Sequence, residues 1–207
     1  MGWLRRAASA GMHPQLDASL ADGFVALDTE TTGMDARADR VVAIAAVRWG
    51  PGGEVDRFET LVDPGRPIPS ASTAVHGIDD VAVRGAPSLD AVLPAFRGFV
   101  GDSVPVAHMG AFDLAFLQRP LARAGLPGLE RMLDTAVLAA RLLLPLPELS
   151  LDAVCAYLGI PVAGRHTALG DARLAAAVLA RLRPELERRG ALTLRAALHW
   201  GDVTRAP

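Results

Sequence analysis

Ten residues, FVALDTETTG (Phe24 to Gly33), constrain this chain more than any others, because an apolar β-forming run passes directly into two carboxylates and ends on a glycine. Strand side chains alternate between faces, so Asp28 and Glu30 share one side at the end of a strand over Phe24 to Thr29. Two like charges held that close repel each other unless a cation lies between them. A site built only of oxygen donors suits Mg²⁺ or Mn²⁺. The same acid-x-acid spacing recurs in Glu54/Asp56 and Glu185/Glu187, which read as a solvated strand face and a helix surface. Neighbouring segments must therefore decide which pair does chemistry.

Two segments supply that context: VAHMGAFDLAFL (Val106 to Leu117) and GRHTALGDARLAAAVLA (Gly164 to Ala180). Each carries His-x4-Asp, pairing His108 with Asp113 and His166 with Asp171. An Asp near the start of an apolar-periodic helix directs its carboxylate along one face, with the helix N-terminus offsetting part of its charge. Taken alone, Asp113 also reads as a helix cap and Asp171 as a helix-surface acid. Spacing does not choose between the two histidines. His108 follows the apolar VPVA and reads most simply as a strand-end residue, whereas His166 lies in the glycine-flanked GRHTALGD, which can hold an imidazole over a cleft.

The rest of the chain reads as one α/β domain. Its 207 residues are 51% hydrophobic, ample for one substantial core and too few for an independent second domain. Residues 1–20 form an extension, 21–183 the folded domain and 184–207 a C-terminal helical tail. VVAIAAVRW (Val41 to Trp49) and EVDRFETLV (Glu54 to Val62) flank PGG as a hairpin and, with Phe24 to Thr29, make the first three strands. DPGRPIPS (Asp63 to Ser70) reads as a surface loop. SLDAVLPAFRGFV (Ser88 to Val100) has a helical period, and SVPVAH (Ser103 to His108) resembles a short buried strand. Further helices are expected near 112–124, 135–143, 150–158 and 168–182, with a short strand at 131–134. Pro184 is expected to end the long helix, leaving ALTLRAALHW (Ala191 to Trp200) to dock as a last helix or to serve a partner. Strands first, then interleaved helices, predict a mixed central β-sheet flanked by helices.

Charge and composition narrow the function classes. With 21 Lys+Arg against 23 Asp+Glu, a net charge of −2 is not that of a protein that grips long duplexes by neutralising phosphates. Aromatic content of 5% argues against a metal-independent single-strand binder, which needs stacking platforms in a basic groove. Local contact at a strand end, with metal ions supplying much of the positive charge, remains compatible. The single cysteine, Cys155, lies in an amphipathic pattern and reads as a buried thiol, which fits a reducing cytoplasm. Neither a signal-like apolar stretch nor a membrane-spanning run is present, so the chain reads as a soluble cytoplasmic protein with no membrane partner.

In order, DTETTG, AHxxxFDxxFL and HxxxxD resemble the three motifs of the DEDDh branch of the DnaQ-like 3′-to-5′ exonucleases, the family of the proofreading epsilon subunit of bacterial DNA polymerase III. The resemblance runs from about Phe24 to about Arg183 and includes STAVHGIDDVAV (Ser72 to Val83), similar to the family's loop before the second motif. It implies a ribonuclease H-like fold and hydrolysis of the terminal phosphodiester of a nucleic acid, most simply DNA, with release of nucleoside 5′-monophosphates. It also implies two divalent cations, Mg²⁺ or Mn²⁺, held by Asp28, Glu30, Asp113 and Asp171, and His166 as general base. Thr29, Thr31, His76, Met109 and Phe112 fall at positions expected to meet substrate. The implied partners are a single-stranded or frayed 3′ end and a polymerase or repair protein. An exonuclease acting on RNA or short oligonucleotides, or a non-catalytic accessory subunit of a polymerase, are the alternative readings. One residue departs from the pattern: where the second motif usually has Asn after His, this chain has Met109, which replaces an amide donor by a thioether.

Overall fold

The computed structural model describes residues 16–129, 131–143 and 146–203. At its centre is β1 (Phe24–Thr31), buried on both faces from Phe24 to Leu27, as expected of a strand covered on both sides. β2 (Val41–Gly50) pairs antiparallel with β1, and β3 (Gly53–Leu61) pairs antiparallel with β2. Pro51 and Gly52 form the tight turn between them, closed by the Gly50/Gly53 pair with Gly53 at φ 115°. The edge strand β3 exposes Glu54 to Arg57 in succession; its charge blunts edge-to-edge pairing.

α1 (Ser70–His76) and α2 (Leu89–Val100) follow. β4 (Pro105–Ala107) then runs parallel to β1 on the side away from β2, leading into α3 (Ala111–Arg123). β5 (Leu133–Asp134) adds parallel to β4, giving a five-stranded mixed sheet of order β3-β2-β1-β4-β5. The remaining helices are α4 (Thr135–Leu142), α5 (Leu151–Leu158), α6 (Ala168–Arg188) and α7 (Leu194–Gly201).

The alternation of β1 sorts the core into two layers. Phe24 and Ala26 pack with α4 to α7, whereas Val25 and Leu27 pack with α2 and α3. Continuing that alternation places Asp28 and Glu30 on the α6 side and Thr29 on the α3 side. Ala43 and Ala45 of β2 meet Ala168 and Ala172 of α6; these small side chains bring the first turn of α6 close to the sheet. Cys155 is fully buried, as its helical pattern predicts. Among the described residues no helix is long and apolar enough to cross a membrane.

Two expectations are corrected. The segment beginning at Ser72, read as a loop, opens within α1, which is preceded by Pro69 and closed by Gly77 at φ 74°, whose N–H donates to the Thr73 carbonyl. Pro184 does not end the long helix: α6 passes through it to Arg188. A proline there forfeits a backbone hydrogen bond at about 3 kcal/mol, and the burial of Leu182 and Leu186 on either side holds the helix together. The N-terminal extension lies outside the described residues up to residue 15, but residues 16–20 dock against the C-terminal region. Leu20 is buried and its N–H donates to the Leu192 carbonyl, while Arg195 pairs with Asp17.

Candidate active site

Asp28 and Glu30 extend from β1 towards the start of α6, and Asp171 comes to meet them from its first turn. Oxygens of these three carboxylates all lie within 4.8 Å of one another. Thr167 caps α6, its hydroxyl accepting from the Gly170 N–H at 3.1 Å, and so fixes the turn that carries Asp171. Asp113, in the first turn of α3, is 2% exposed and accepts a hydrogen bond of 2.8 Å from the Thr29 hydroxyl.

Burial, with repulsion from neighbouring carboxylates, pushes Asp28, Glu30 and Asp113 towards the neutral form. Asp28 is raised well above the usual carboxylate range, first by desolvation and then by the charges of Asp113, Asp171 and Glu30. Glu30 is raised to about 7 by desolvation and by Asp171 and Asp113. Asp113 is raised to about 7 by burial, against the stabilising hydrogen bond from Thr29. Four acids have been gathered where acids alone are unfavourable.

One protein cation partly offsets this charge. The Arg165 guanidinium donates to Asp171 Oδ2 and, at 2.9 Å, to Asp152 on α5. The other Asp171 oxygen, Oδ1, is buried with no hydrogen-bond partner. A buried carboxylate oxygen without a partner is costly unless something else satisfies it. A hard divalent cation fits this set of oxygen donors, with Asp28, Glu30 and Asp171 around it and Asp113 adjoining.

Among the described residues, Met109 (φ 57°) and His166 (φ 59°) alone have positive φ without being glycine. Such strain concentrates at functional sites, and here it falls in the two segments that deliver the second pair of acids. His166 is exposed on the loop before α6, whose close turn depends on Gly170: any β-carbon there would collide with the Gly164 carbonyl. Met109 is held in its left-handed conformation by Asp134, which accepts from the Met109 N–H at 3.2 Å and the Gly110 N–H at 3.0 Å. Asparagine adopts this conformation more readily than methionine. Met109→Asn is therefore expected to stabilise the protein by about 0.5–1 kcal/mol, raising the midpoint of thermal unfolding by about 2 °C, whatever it does to substrate binding. An unchanged or lower midpoint by calorimetry would show that strain at residue 109 is not the relevant term.

The two histidines that spacing left equivalent differ in surroundings. His108 is enclosed: Nε2 lies 2.8 Å from the Leu149 carbonyl, and Nδ1 lies 2.9 Å from the Thr135 hydroxyl. Because a carbonyl only accepts, Nε2 carries the proton, and in the neutral ring Nδ1 is an acceptor facing the Thr135 hydroxyl, which also lies 3.2 Å from the Ala107 carbonyl. Burial lowers the pKa of His108, which favours that neutral state. His108→Ala should then lose about 1–3 kcal/mol of stability by leaving these partners unpaired, with turnover per folded molecule largely retained. A large rate loss in a fully folded His108→Ala protein would instead give His108 a part in the chemistry.

The five residues expected to meet substrate fare differently. Met109 is 50% exposed beside the site, and Phe112 is half-buried, its ring 4.8 Å from that of Phe116. The other three turn inward. The Thr29 hydroxyl is used on Asp113, and the Thr31 hydroxyl donates to the Gly33 carbonyl at 2.6 Å. His76 is buried: Nδ1 accepts from the Ile78 N–H at 3.1 Å, so Nε2 donates to the Thr31 carbonyl at 3.2 Å. Its ring braces the strand that carries Glu30.

Sequence reasoning missed Arg165 and Asp134. Arg165 stands immediately before His166 in GRHTALGD, where a basic residue six positions ahead of a candidate ligand was the available signal. Asp134 opens DTAV, an N-cap pattern, and accepts from the Ala136 and Val137 N–H groups as well as from the Met109 turn. The competing acid pairs prove structural: Glu54 forms a forked pair with Arg173 at 2.6 and 3.0 Å, and Glu185 pairs with Arg189 at 2.6 Å.

Comparison with known proteins agrees with this geometry. A family model described as Exonuclease matches residues 25–179. The DNA polymerase III subunit epsilon-like protein of Rhodobacter capsulatus is 46% identical over 180 residues, covering 84% of this chain and 26% of that protein. DNA polymerase III PolC-type of Clostridium perfringens is 39% identical over 161 residues, covering 78% of this chain and 11% of its own length. The chain thus spans about a quarter or less of these relatives. Among solved structures, Exonuclease X in complex with 5′ overhanging duplex DNA has a TM-score of 0.63 at 28% identity, covering 84% of this chain and 98% of that one. E. coli Exonuclease I in complex with a dT13 oligonucleotide has a TM-score of 0.69 at 16% identity, covering 82% and 42%. The mixed sheet and its flanking helices are a ribonuclease H-like fold, shared with these neighbours. With a matching model over most of its length, and with Asp28, Glu30 and Asp171 drawn together at one strand end, the chain belongs to this exonuclease family.

Proposed function

We propose that this chain removes nucleotides from the 3′ end of DNA, releasing nucleoside 5′-monophosphates in a reaction that depends on divalent metal. The observation that carries this reading is the convergence of Asp28, Glu30 and Asp171, with one Asp171 oxygen buried and unpartnered. A non-catalytic accessory subunit has no need to keep such a repulsive cluster. Mg²⁺ or Mn²⁺, as a pair of ions, would supply an activated water and stabilise charge on the leaving 3′-oxygen.

The chain's own residues then have distinct tasks. Asp28, Glu30, Asp113 and Asp171 would hold the ions. Thr29 orients Asp113, and Arg165 holds Asp171 through Oδ2, leaving its buried Oδ1 without a hydrogen-bond partner. His166, on the exposed rim, accepts the proton released by the attacking water. Phe112 offers an apolar face to the terminal base. The DNA in the Exonuclease I and Exonuclease X complexes supports DNA as substrate, and the names of the polymerase III relatives support a place beside a replicative polymerase.

Substrate class is tested by incubating the protein and Mn²⁺ with single-stranded DNA, duplex DNA and RNA of matched sequence and identifying the released products. Nucleoside 5′-monophosphates from DNA, faster than from RNA, are expected. Faster release from RNA would move the substrate class, and release of 3′-monophosphates would overturn the reaction.

A further inference from the structure

A cleft of about 430 Å³ runs between the loop after β1 and the part of α3 that follows Asp113. Ala115, Phe116, Arg119 and Arg123 line it from α3, and Arg37 and Arg40 from the loop. This α3 face begins at the site: Phe116 stacks against Phe112, and Asp113 occupies the next position. The arginines are exposed. Among the described residues, the guanidiniums of Arg37 and Arg119 make no hydrogen bond or ion pair within the protein, whereas that of Arg40 donates to the Ala38 and Asp39 carbonyls.

Three aspartates also line the cleft. Asp39 accepts from the Thr32 hydroxyl and the Asp35 N–H, Asp63 accepts from the Gly65 N–H, and Asp90 pairs with Arg123 at 2.6 Å. Four arginines against three aspartates leave this cleft an excess of positive charge, and Arg37 and Arg119 are the cations in it that no partner among the described residues holds; its wall residue Phe116 touches Phe112, next to Asp113. Such an arrangement suits a polyanion whose end lies at the carboxylates.

We infer that this cleft binds the phosphates of the substrate strand behind its 3′ end, with Arg37 and Arg119 as the principal contacts. The inference rests on the nuclease reading above. Along α3, a rise of about 1.5 Å per residue places Arg119 about 10 Å and Arg123 about 16 Å from Phe112. A stacked strand advances about 3.4 Å per nucleotide, so the Arg119 guanidinium meets a phosphate roughly three nucleotides behind the terminal one, while Arg123, paired with Asp90, marks the far end of the cleft roughly five nucleotides behind it. An excess of positive charge confined to one cleft is also how a chain of net charge −2 can hold a polyanion.

The test compares the wild type with the Arg37→Ala/Arg119→Ala variant on the p-nitrophenyl ester of thymidine 5′-phosphate, on a dinucleotide and on progressively longer single strands. In the wild type, kcat/KM should rise with length up to about five nucleotides and then level off. The variant should match the wild type on the ester and dinucleotide, lose about tenfold or more on long strands through KM, and show a salt dependence shallower by about 1.4 in log–log slope, at about 0.7 for each lost contact. Equal length and salt dependence in the two proteins would overturn the cleft while leaving the nuclease reading intact. Failure of the wild type on every substrate, in either metal, would overturn the nuclease reading itself.

Discussion

Asp28→Asn is expected to reduce exonuclease activity by about 10³-fold or more at saturating Mn²⁺ while making the metal-free protein more stable at pH 8. Both effects come from one fact: the native carboxylate is held where its charge is unfavourable until a cation joins it. The sign of the pH dependence follows from Glu30, which is raised from 4.5 to about 7. Below about pH 4, folded and unfolded chains are both protonated at this position, and it contributes nothing to the pH dependence. Between about pH 4 and 7 the folded chain keeps a proton that the unfolded chain releases, so stability falls as pH rises. Above about pH 7 the penalty is complete, on the order of 2–3 kcal/mol from Glu30. Asp28 and Asp113 are raised in the same sense. Thermal unfolding without metal should therefore be more favourable at pH 8 than at pH 5.5, and Mn²⁺ should reverse that trend in the wild type. In Asp28→Asn the penalty should shrink and the protection by Mn²⁺ should weaken. An Asp28→Asn protein that is less stable at pH 8, or that turns over normally, would contradict a metal role for this residue.

His166→Ala should lower the rate by about 10²–10⁴-fold, the range for a positioned general base, with Mn²⁺ protection against unfolding retained. The residue is exposed, so no core contact is lost. Its positive φ adds a second expectation: alanine is no better suited to the left-handed region, whereas His166→Gly relieves strain and should stabilise the fold while being as inactive as His166→Ala. Stopped-flow turnover and calorimetry on the two variants separate these effects. Loss of Mn²⁺ protection in His166→Ala would indicate that the imidazole acts through the ions and not on the proton.

Period and punctuation made most of the sheet legible. The apolar run into Asp28, the PGG turn and the short SVPVAH strand each appear as read, because alternation and turn chemistry are local properties. Alternation also placed Asp28 and Glu30 on one face, where the structure finds them with Asp171. What sequence could not show was long-range: that Thr29 spends its hydroxyl on Asp113, 84 positions away, or that His76 reaches back 45 positions to brace Thr31. Their burial and their partners depend on which strands and helices meet. Pro184 misled for a related reason, since the tertiary packing of Leu182 and Leu186 outweighs a local helix-breaking signal. The conformation of Met109 lay out of reach as well, because the carboxylate that holds it belongs to Asp134, 25 positions further on.

The most direct test of the carboxylate cluster as a metal-dependent exonuclease site is a time course on 5′-labelled single-stranded DNA, with the wild type and Asp28→Asn compared in Mn²⁺ and in excess chelator. The wild type in Mn²⁺ should give a ladder of labelled products that shortens one nucleotide at a time, while chelator and Asp28→Asn should each leave the substrate at full length. Immediate release of label as a mononucleotide, internal cleavage without a ladder, or an undiminished ladder from Asp28→Asn would contradict the account.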